Sequence, residues 1–351
     1  MEFLRLLLFP LSLVYGLITG VRNLLFDLKL LSSKKFDFPV ISVGNLSAGG
    51  TGKTPHVEYL VRLLSPPYKV STLSRGYGRK TKGFIQAGER DNASTIGDEP
   101  IQYYRKFRDT GVFVDEKRRR GVGGILKSKP DTQVVILDDA FQHRYVKPGL
   151  SLLLTDYHHL YCNDYPLPSG RLREFRSGAR RADIIIVTKS PKVLSPIERR
   201  KIILDLKPQN HQRVYFSFIR YGQIQPLWTQ PSTQKPCERY NFILLFAGIA
   251  NVYPLQDQLK RMCNELLVIQ FPDHHQYTAR DLDKIKRNFD DIYSRNKLLV
   301  TTEKDAMRLL NPAIMEQATR MPVHYLPIEV EFHGRDKESF NDQILNYVGK
   351  D

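Results

Sequence analysis

A glycine-rich segment between residues 38 and 55 carries the residue types that bind a nucleoside triphosphate. The apolar run from Phe38 to Val43 predicts a strand, and helix-compatible sequence follows Gly52-Lys53-Thr54. Backbone N–H groups of such a loop, together with the positive end of the helix dipole, attract phosphate. Lys53 would reach the outer phosphates and the Thr54 hydroxyl would bind Mg²⁺. The segment therefore predicts a P-loop; the alternative is a glycine-rich turn without a ligand.

The loop departs from the strict P-loop pattern at one position. Ser47 stands six residues before Lys53, where the pattern has glycine. Flexible backbone is still supplied by the residues that we expect to surround the nucleotide with Lys53 and Thr54: Gly49, Gly50, Thr51 and Gly52.

Two pairs of adjacent acids follow the loop along the chain. The apolar run 133–139 predicts a buried strand that ends in Asp138 and Asp139, and in P-loop enzymes such a strand delivers an acid to Mg²⁺. Asp98 and Glu99 stand where a loop turns into a helix. Acids favour helix N-termini, so in isolation this second pair indicates helix capping.

Apolar runs that alternate with helical sequence up to residue 218 predict the fold. The pattern indicates an α/β, P-loop NTPase-like, doubly wound parallel sheet. A second, smaller α/β lobe begins at Tyr240, includes a predicted helix at 254–264, and would close over a nucleotide cleft. The predicted division is an N-terminal helix at 1–35, a kinase-type core at 36–218, linker strands at 219–239 and the second lobe at 240–351.

Composition restricts the partners of this 351-residue chain. Its net charge of +16 and pI of about 9.6 attract anions such as nucleic acid, anionic lipid or phosphorylated substrates. We find no pattern of a nucleic-acid-binding module, so nucleic acid ranks last. The three cysteines, Cys162, Cys237 and Cys263, form no CxxC pair, which suits a reducing compartment.

The N-terminus is apolar and uncharged from Leu6 to Val21. Sixteen residues are slightly short for a bilayer span, and no signal-peptide cleavage site follows. Basic residues interspersed after Val21 predict a helix that lies in the membrane interface, peripheral or monotopic. The alternative is a buried helix packed on the core.

Eight segments together resemble one family. In chain order they read GNLSAGGTGKTP, LSRGYGR, GDEP, LDDAFQHR, LPSGRLRE, AGIAN, FPDHHQY and TEKDA, from residue 44 to residue 306. Over nearly the whole chain this resembles the tetraacyldisaccharide 4′-kinases, the lipid A 4′-kinases. One departure is Ala140, where the family usually has glycine, and a methyl group is tolerated there only if φ is negative.

The resemblance implies ATP- and Mg²⁺-dependent phosphorylation of the 4′-hydroxyl of a tetraacyl disaccharide 1-phosphate, at the cytoplasmic face of the bacterial inner membrane. Asp98 would accept the hydroxyl proton, and the resemblance places His274 beside it. Lys53 would hold the phosphates. The implied Mg²⁺ ligands are Thr54, Asp138 or Asp139, and Glu99.

The resemblance also implies two further sets of residues. Asn251, Glu303 and Lys304 of the second lobe would cover the nucleotide. Headgroup contacts are implied for Arg75, Tyr77, Arg119, Gln142, His143 and Arg171, and also for Asn45, which lies inside the phosphate loop and could face either substrate. For the run 118–120 the alternative is a solvated charged face.

The main competing class is a P-loop GTPase or metallochaperone with a protein partner. The tetrapeptide 302–305, TEKD, differs from the guanine-reading NKxD, and such a protein has no use for an amphipathic N-terminus.

Overall fold

The computed structural model describes residues 2–228 and 239–349. Residues 229–238 of the predicted linker 219–239, including Cys237, lie outside these ranges. Within them the strands are β1 (Val40–Asn45), β2 (Val70–Ser74), β3 (Ile85–Gln86), β4 (Gly111–Val114), β5 (Val134–Asp138), β6 (Leu150–Asp156), β7 (Ile184–Thr188), β8 (Arg213–Tyr221), β9 (Gln225–Pro226), β10 (Tyr240–Ala247), β11 (Cys263–Gln270), β12 (Lys297–Thr302), β13 (Val323–Leu326) and β14 (Ile328–Phe332).

The helices alternate with these strands. They are α1 (Glu2–Asp27), α2 (Lys53–Leu64), α3 (Ala93–Ile96), α4 (Asp98–Lys106), α5 (Arg118–Ser128), α6 (Pro196–Leu206), α7 (Tyr253–Lys260), α8 (Ala279–Asp290), α9 (Glu303–Leu309), α10 (Pro312–Thr319) and α11 (Asp336–Val348).

The first lobe is built on a nine-stranded sheet of order β14-β8-β7-β6-β1-β5-β2-β4-β3. The strands from β8 to β4 run parallel, and β14 and β3 pair antiparallel at the two edges. Apolar side chains of α2, α4 and α11 cover one face of the sheet, and those of α5 and α6 cover the other. Helices on both faces of a mostly parallel sheet confirm the predicted doubly wound fold.

The order of the central strands determines where a ligand can bind. β1 lies between β5 and β6, so the chain leaves β1 toward one side of the sheet and later returns on its other side. Such a switch point opens a crevice at the carboxyl ends of the strands. The glycine-rich loop follows β1 at this crevice.

The second lobe has a five-stranded sheet of order β11-β10-β12-β13-β9, in which only β9 pairs antiparallel. The helix predicted at 254–264 ends at Lys260, and β11 already begins at Cys263. The buried Cys263 pairs in register with Tyr240 of β10, so sheet pairing overrides the helical pattern there.

The C-terminal boundary of the second lobe differs from the prediction of 240–351. β14 and α11 return to the first lobe, where β14 pairs with β8. Phe332 and Phe340 are buried there and stack with ring centroids 4.5 Å apart, and both contact Tyr59 of α2. Burial of this aromatic cluster explains why the chain crosses back.

The N-terminal helix α1 packs on the first lobe by one edge. The Tyr15 hydroxyl donates to Arg173 O (3.0 Å), Ser12 Oγ accepts from Ser169 N (2.8 Å), and Gly16 lies against the ring of Phe175. Most of its apolar side chains point outward, with Leu17 and Ile18 64–65% exposed. By length and composition alone, the helical segment 7–27 is the one segment of the described residues that is long and apolar enough to cross a membrane.

Candidate active site

The glycine-rich loop joins β1 to α2 as predicted. Gly52 has φ 84°, a left-handed conformation that glycine adopts without strain, and α2 begins at the next residue. His56 fixes this start from inside: Nδ1 donates to Gly52 O (2.7 Å), while Nε2 accepts from Ser217 Oγ (3.0 Å). The backbone N–H groups at the start of α2 thus form a rigid anion site.

Asn45 supports the loop from within. Its Nδ2 donates to Ser47 O (2.7 Å) and Thr51 Oγ1 (2.9 Å), and its Oδ1 accepts from Lys53 Nζ (3.4 Å). The side chain is fully buried. The sequence placed Asn45 among the headgroup contacts, whereas the structure shows its amide directed into the loop.

Asp138 and Asp139 end β5 in different environments. Arg173 Nη1 binds both carboxylate oxygens of Asp139 (2.9 and 3.0 Å), and Lys53 Nζ lies 3.6 Å away. Burial favours a higher pKa for Asp139, but Lys53 and Arg173 outweigh it and lower this pKa. Burial, with the neighbouring charges of Glu99 and Asp139, raises the pKa of Asp138 to about 6.

These acids fit a bound Mg²⁺. Tyr103 OH donates to Asp138 Oδ2 (3.0 Å), whereas the buried Asp138 Oδ1 has no hydrogen-bond partner. An unpaired buried carboxylate oxygen is costly unless a cation occupies the space beside it. Within the described residues, no three His, Cys, Asp or Glu side chains converge as a complete metal cage. Mg²⁺ commonly takes only one or two carboxylates and keeps phosphate and water as its other ligands.

Asp98 begins α4 and meets the second lobe. Its Oδ2 accepts from Arg308 Nε (2.9 Å) and Nη2 (2.7 Å), and from His274 Nδ1 (3.3 Å). The preceding Gly97 (φ 98°) packs on the backbone of Gly76: a Cβ at Gly97 would lie 3.0 Å from the Cα of Gly76. This close approach holds the loop 73–79 beside Asp98.

His274 and Lys304 complete a polar chain across the cleft. Lys304 Nζ lies 3.1 Å from Glu99 Oε1 and 3.3 Å from His274 Nε2. The other ring nitrogen, Nδ1, lies 3.3 Å from Asp98 Oδ2 and 3.4 Å from Arg308 Nη2. The ring of Tyr77 lies 5.4 Å from the imidazole. The structure therefore brings together the five predicted residues 77, 98, 99, 274 and 304.

Two non-glycine residues, Asp139 (φ 47°) and His274 (φ 59°), also have left-handed backbone here. Non-glycine residues in this region store backbone strain, and such strain collects at functional sites. Ala140 lies outside the left-handed region, as its methyl group requires.

A group of cationic side chains lies between the phosphate loop and α1. Burial and the positive charges of Arg118, Arg75 and Arg22 lower the pKa of His143 to about 4. Gln142 Nε2 donates to Asn45 O (2.9 Å), and its backbone oxygen accepts from Arg22 Nη2 (3.1 Å). This arrangement can attract an anionic ligand that approaches along α1.

Other predicted residues lie apart or have other contacts. Glu303 is buried, and its carboxylate binds Lys106 Nζ (2.7 Å), which also binds Glu58. Among the described residues, no side-chain contact joins Arg119, Arg171 or Asn251 to another predicted site residue. Arg119 and Arg171 are exposed, and Asn251 Oδ1 accepts only from Tyr253 N.

Sequence reasoning missed three residues of the site: Arg173, Tyr103 and Arg308. Arg173 lies two residues after Arg171, which the prediction chose instead. Tyr103 gives no signal in the sequence beyond an aromatic position in a helix. Arg308 lies one helical turn after Asp305, and this i, i+3 pair is the one signal that could have indicated it.

Three features define a P-loop phosphotransferase. A phosphate loop lies at the switch point of a parallel sheet, and beside it lies a buried acid, Asp138, with one unpaired oxygen. The second lobe contacts a carboxylate, that of Asp98, in the cleft. The family model for LpxK, tetraacyldisaccharide-1-P 4′-kinase, matches residues 4–349. This chain belongs to the tetraacyldisaccharide 4′-kinase family.

Relatives of known name agree over the full length. The tetraacyldisaccharide 4′-kinase of Bacteroides thetaiotaomicron is 44% identical, covering 97% of this chain and 92% of the relative. That of Phocaeicola vulgatus is 45% identical, covering 98% and 95%. The crystal structure of LpxK from Aquifex aeolicus, solved in complex with ATP, has a TM-score of 0.73 at 28% identity and covers 98% of this chain and 99% of its own. The competing GTPase or metallochaperone class is therefore not favoured.

Proposed function

We propose that this kinase transfers the γ-phosphoryl group of ATP to the 4′-hydroxyl of a tetraacyl disaccharide 1-phosphate, with Asp98 as the base. The observation that supports this most is the position of Asp98, whose Oδ2 is held by Arg308 and His274 where the two lobes meet. Phosphoryl transfer depends mainly on positioning and charge neutralisation, so an oriented, ionised carboxylate is the required partner for the hydroxyl.

The phosphate loop holds the nucleotide in this proposal. Backbone amides from Gly49 to Thr54 and the ammonium of Lys53 bind the outer phosphates. Thr54, Asp138 and Glu99 would hold Mg²⁺, which when bound neutralises charge on the transferred phosphoryl group. Asp139 instead positions Lys53 and Arg173 through its ion pairs.

The second lobe contributes to the nucleotide side of the cleft. Lys304 contacts both Glu99 and His274 there. It therefore links a proposed Mg²⁺ ligand, Glu99, with the residue that holds the proposed base Asp98. Glu303 and Asn251 remain proposed nucleotide contacts that require closure of the lobe.

The lipid headgroup is proposed to bind the cationic side of the cleft. Arginine suits the 1-phosphate because its planar group makes two charge-assisted hydrogen bonds at once. Arg75 and His143 lie in this cluster, and Tyr77 faces the ring of His274. Gln142, Arg119 and Arg171 complete the set that we propose for the sugar and the phosphate.

We further propose that α1 lies on the cytoplasmic face of the inner membrane. Its outward face is apolar, while Arg22 and Arg144 flank the ring of Phe26 at its C-terminal end. Exposed apolar side chains beside cations are the signature of an interfacial helix on anionic lipid. The basic charge of the chain serves lipid in this proposal, not nucleic acid.

The test is phosphate transfer from γ-labelled ATP to a detergent-dispersed tetraacyl disaccharide 1-phosphate, with the Lys53→Met variant as a control. We expect labelled lipid from the native chain only. Equal ATP consumption with and without lipid, and no labelled lipid, would contradict the proposal.

A further inference from the structure

We propose that Arg308 is the positioning residue for Asp98, so that the second lobe presents the base to the acceptor hydroxyl. The inference rests on the function proposed above, in which Asp98 accepts the proton of that hydroxyl. Arg308 itself touches neither substrate: it acts through the carboxylate of Asp98, and its Nη2 also lies 3.4 Å from Nδ1 of His274, the second group that holds this carboxylate.

The contacts of Arg308 with Asp98 cross from one lobe to the other. Arg308 belongs to α9 of the second lobe and its side chain is fully buried, whereas Asp98 begins α4 of the first. Nε and Nη2 both donate to Oδ2, at 2.9 and 2.7 Å. Two charge-assisted bonds from a planar group fix the position of Oδ2 more firmly than a single bond does.

The guanidinium is itself held by its own lobe. Nη1 donates to Asp305 Oδ1 (2.6 Å) and to Gly248 O (2.9 Å). Asp305 Oδ2 accepts in turn from Gly248 N (3.0 Å) and Thr302 Oγ1 (2.7 Å). Arg308 thus has a fixed orientation when it meets Asp98, which is what positioning requires.

The contacts leave the two oxygens of Asp98 with different surroundings. Arg308 and His274 both bind Oδ2. The side chain of Asp98 is 7% exposed, so little of it is open to a ligand. Because the contacts of Arg308 and His274 occupy Oδ2, we assign Oδ1 to the acceptor hydroxyl and Oδ2 as the anchored oxygen.

A second ion pair between the lobes separates positioning from simple attachment. Lys106 of α4 binds Glu303 of α9 at 2.7 Å and does not touch Asp98. Removal of the Lys106 ammonium weakens the contact between the same two helices but leaves the contacts of the Asp98 carboxylate in place. Lys106→Met is therefore the matched control.

The experiment is a double-mutant cycle on the full-length protein in detergent, with labelled ATP and a tetraacyl disaccharide 1-phosphate. Asp98→Asn, Arg308→Met, Arg308→Lys and Lys106→Met are made singly, and each of the last three is combined with Asp98→Asn. Steady-state kcat and both KM values are measured, and melting temperature with ATP titration checks the fold.

We expect Arg308→Met to lower kcat by about 10²-fold and Arg308→Lys by about 10-fold, within the range for a base and its orientation, with KM changes under about 3-fold. In the Asp98→Asn background the same changes should cost less than about 2-fold, because the carboxylate that Arg308 positions is gone. The effect of Lys106→Met should be the same in both backgrounds.

Additive losses in the two backgrounds, or an Arg308→Lys variant as active as the native chain, would overturn the inference. Loss of a buried cation beside two acids is strongly destabilising, so Arg308→Met can fail to fold. In that event the Arg308→Lys cycle decides. A native chain that labels no lipid refutes the proposed function, whereas an active native chain with an additive cycle refutes only the role of Arg308.

Discussion

At the scale of single residues, the charge of Asp98 is set by the lobe opposite to its own. Burial alone would raise the pKa of Asp98, but the hydrogen bond of His274 and the charges of Arg308 and Lys304 outweigh it and lower this pKa. A low pKa makes a weak base that is ionised at neutral pH. A weak base suits phosphoryl transfer, because a loose transition state requires little proton abstraction from the hydroxyl until late in the reaction.

Replacing Asp98 with alanine should therefore affect chemistry and not nucleotide binding. We expect Asp98→Ala to lower kcat by about 10²–10⁴-fold, the usual contribution of a general base, while the Kd for ATP stays within about 3-fold. Labelled phosphate transfer and ATP titration measure the two effects. Asp109→Ala, at an exposed acid of the same lobe, is the control, and near-native activity of Asp98→Ala would disprove the assignment.

The two acids that end β5 should respond differently to amidation. Asp138 has the unpaired oxygen, so Asp138→Asn should raise the Mg²⁺ concentration for half-maximal activity by about 10-fold or more. Asp139→Asn removes the partner of Lys53 and Arg173 and should lower kcat at saturating Mg²⁺. Mg²⁺ titrations of activity and of binding by calorimetry compare them. Identical Mg²⁺ curves for the two variants would refute the division of roles.

His56 predicts how stability depends on pH. Burial lowers its pKa from 6.5 to about 4, so between these values the unfolded chain binds more protons than the folded chain. The contribution of neutral His56 to the free energy of unfolding is therefore fully present above pH 6.5. It is lost as the pH drops toward 4, and the loss from this residue is about 3 kcal/mol. Urea unfolding at pH 7 and pH 4.5 should show a smaller loss in His56→Gln than in the native chain; equal losses would contradict this.

At the scale of elements, α1 has two faces with different tasks. The edge that carries Tyr15 and Gly16 packs on the loop 169–175, which also contacts the phosphate loop through Arg171 O and Ala48 N (2.6 Å). The opposite face holds exposed apolar side chains. In the membrane orientation proposed above, the same helix would connect a lipid surface to the phosphate loop.

Charge on the exposed face of α1 should weaken membrane binding without unfolding the helix. We expect Leu17→Glu with Ile18→Glu to lower binding to anionic phosphatidylglycerol vesicles by about 10-fold or more, because each charge must enter the apolar interface. Val193→Glu with Ile197→Glu, two exposed apolar residues near α6, is the matched control. Vesicle sedimentation measures both, and an equal loss in the two pairs would place the contact elsewhere.

Removal of residues 1–31 is the complementary test of the whole helix. Membrane association should fall while the melting temperature of the remaining chain shows whether the lobe stays folded. If the truncated protein still sediments with membranes, the basic surface and not α1 provides the contact.

At the scale of the whole molecule, the two lobes are interleaved along the chain. The chain leaves the first lobe after β8, builds the second, and returns with β14 and α11 to the first sheet. Polar links between α4 and α9 also join the lobes at the cleft. The C-terminal residues are therefore part of the nucleotide lobe, although they follow the second one in sequence.

A core substitution in α11 should accordingly destabilise the distant phosphate loop. Phe340 is buried among Tyr59, Tyr215 and Phe332, and Phe340→Ala should cost about 3–5 kcal/mol. Hydrogen exchange should then accelerate in α2, which packs on the same cluster. Leu204→Ala, at an exposed position of α6, is the control. Unchanged exchange in α2 would show that α11 is a separate unit.

The sequence by itself determined the features that are local or repeated along the chain. The phosphate loop, the alternation of strands and helices, and the acids at the end of β5 follow from contiguous residues and from hydrophobic periodicity. The family followed from eight motifs in order. The bounds of β1 and β5 differ from the predicted runs 38–43 and 133–139 by at most two residues, because each run is mainly apolar.

Only the tertiary structure decided which distant residues meet. β14 and α11 carry no local sign of the sheet they join, because strand pairing depends on which edge is free. Asp98 at residue 98 and Arg308 at residue 308 are paired by the packing of α4 on α9, and neither residue type reveals its partner. The unpaired oxygen of Asp138 and the inward amide of Asn45 depend on burial in the folded chain. Energies of buried charges arise from these long-range contacts, and a linear sequence does not contain the distances that set them.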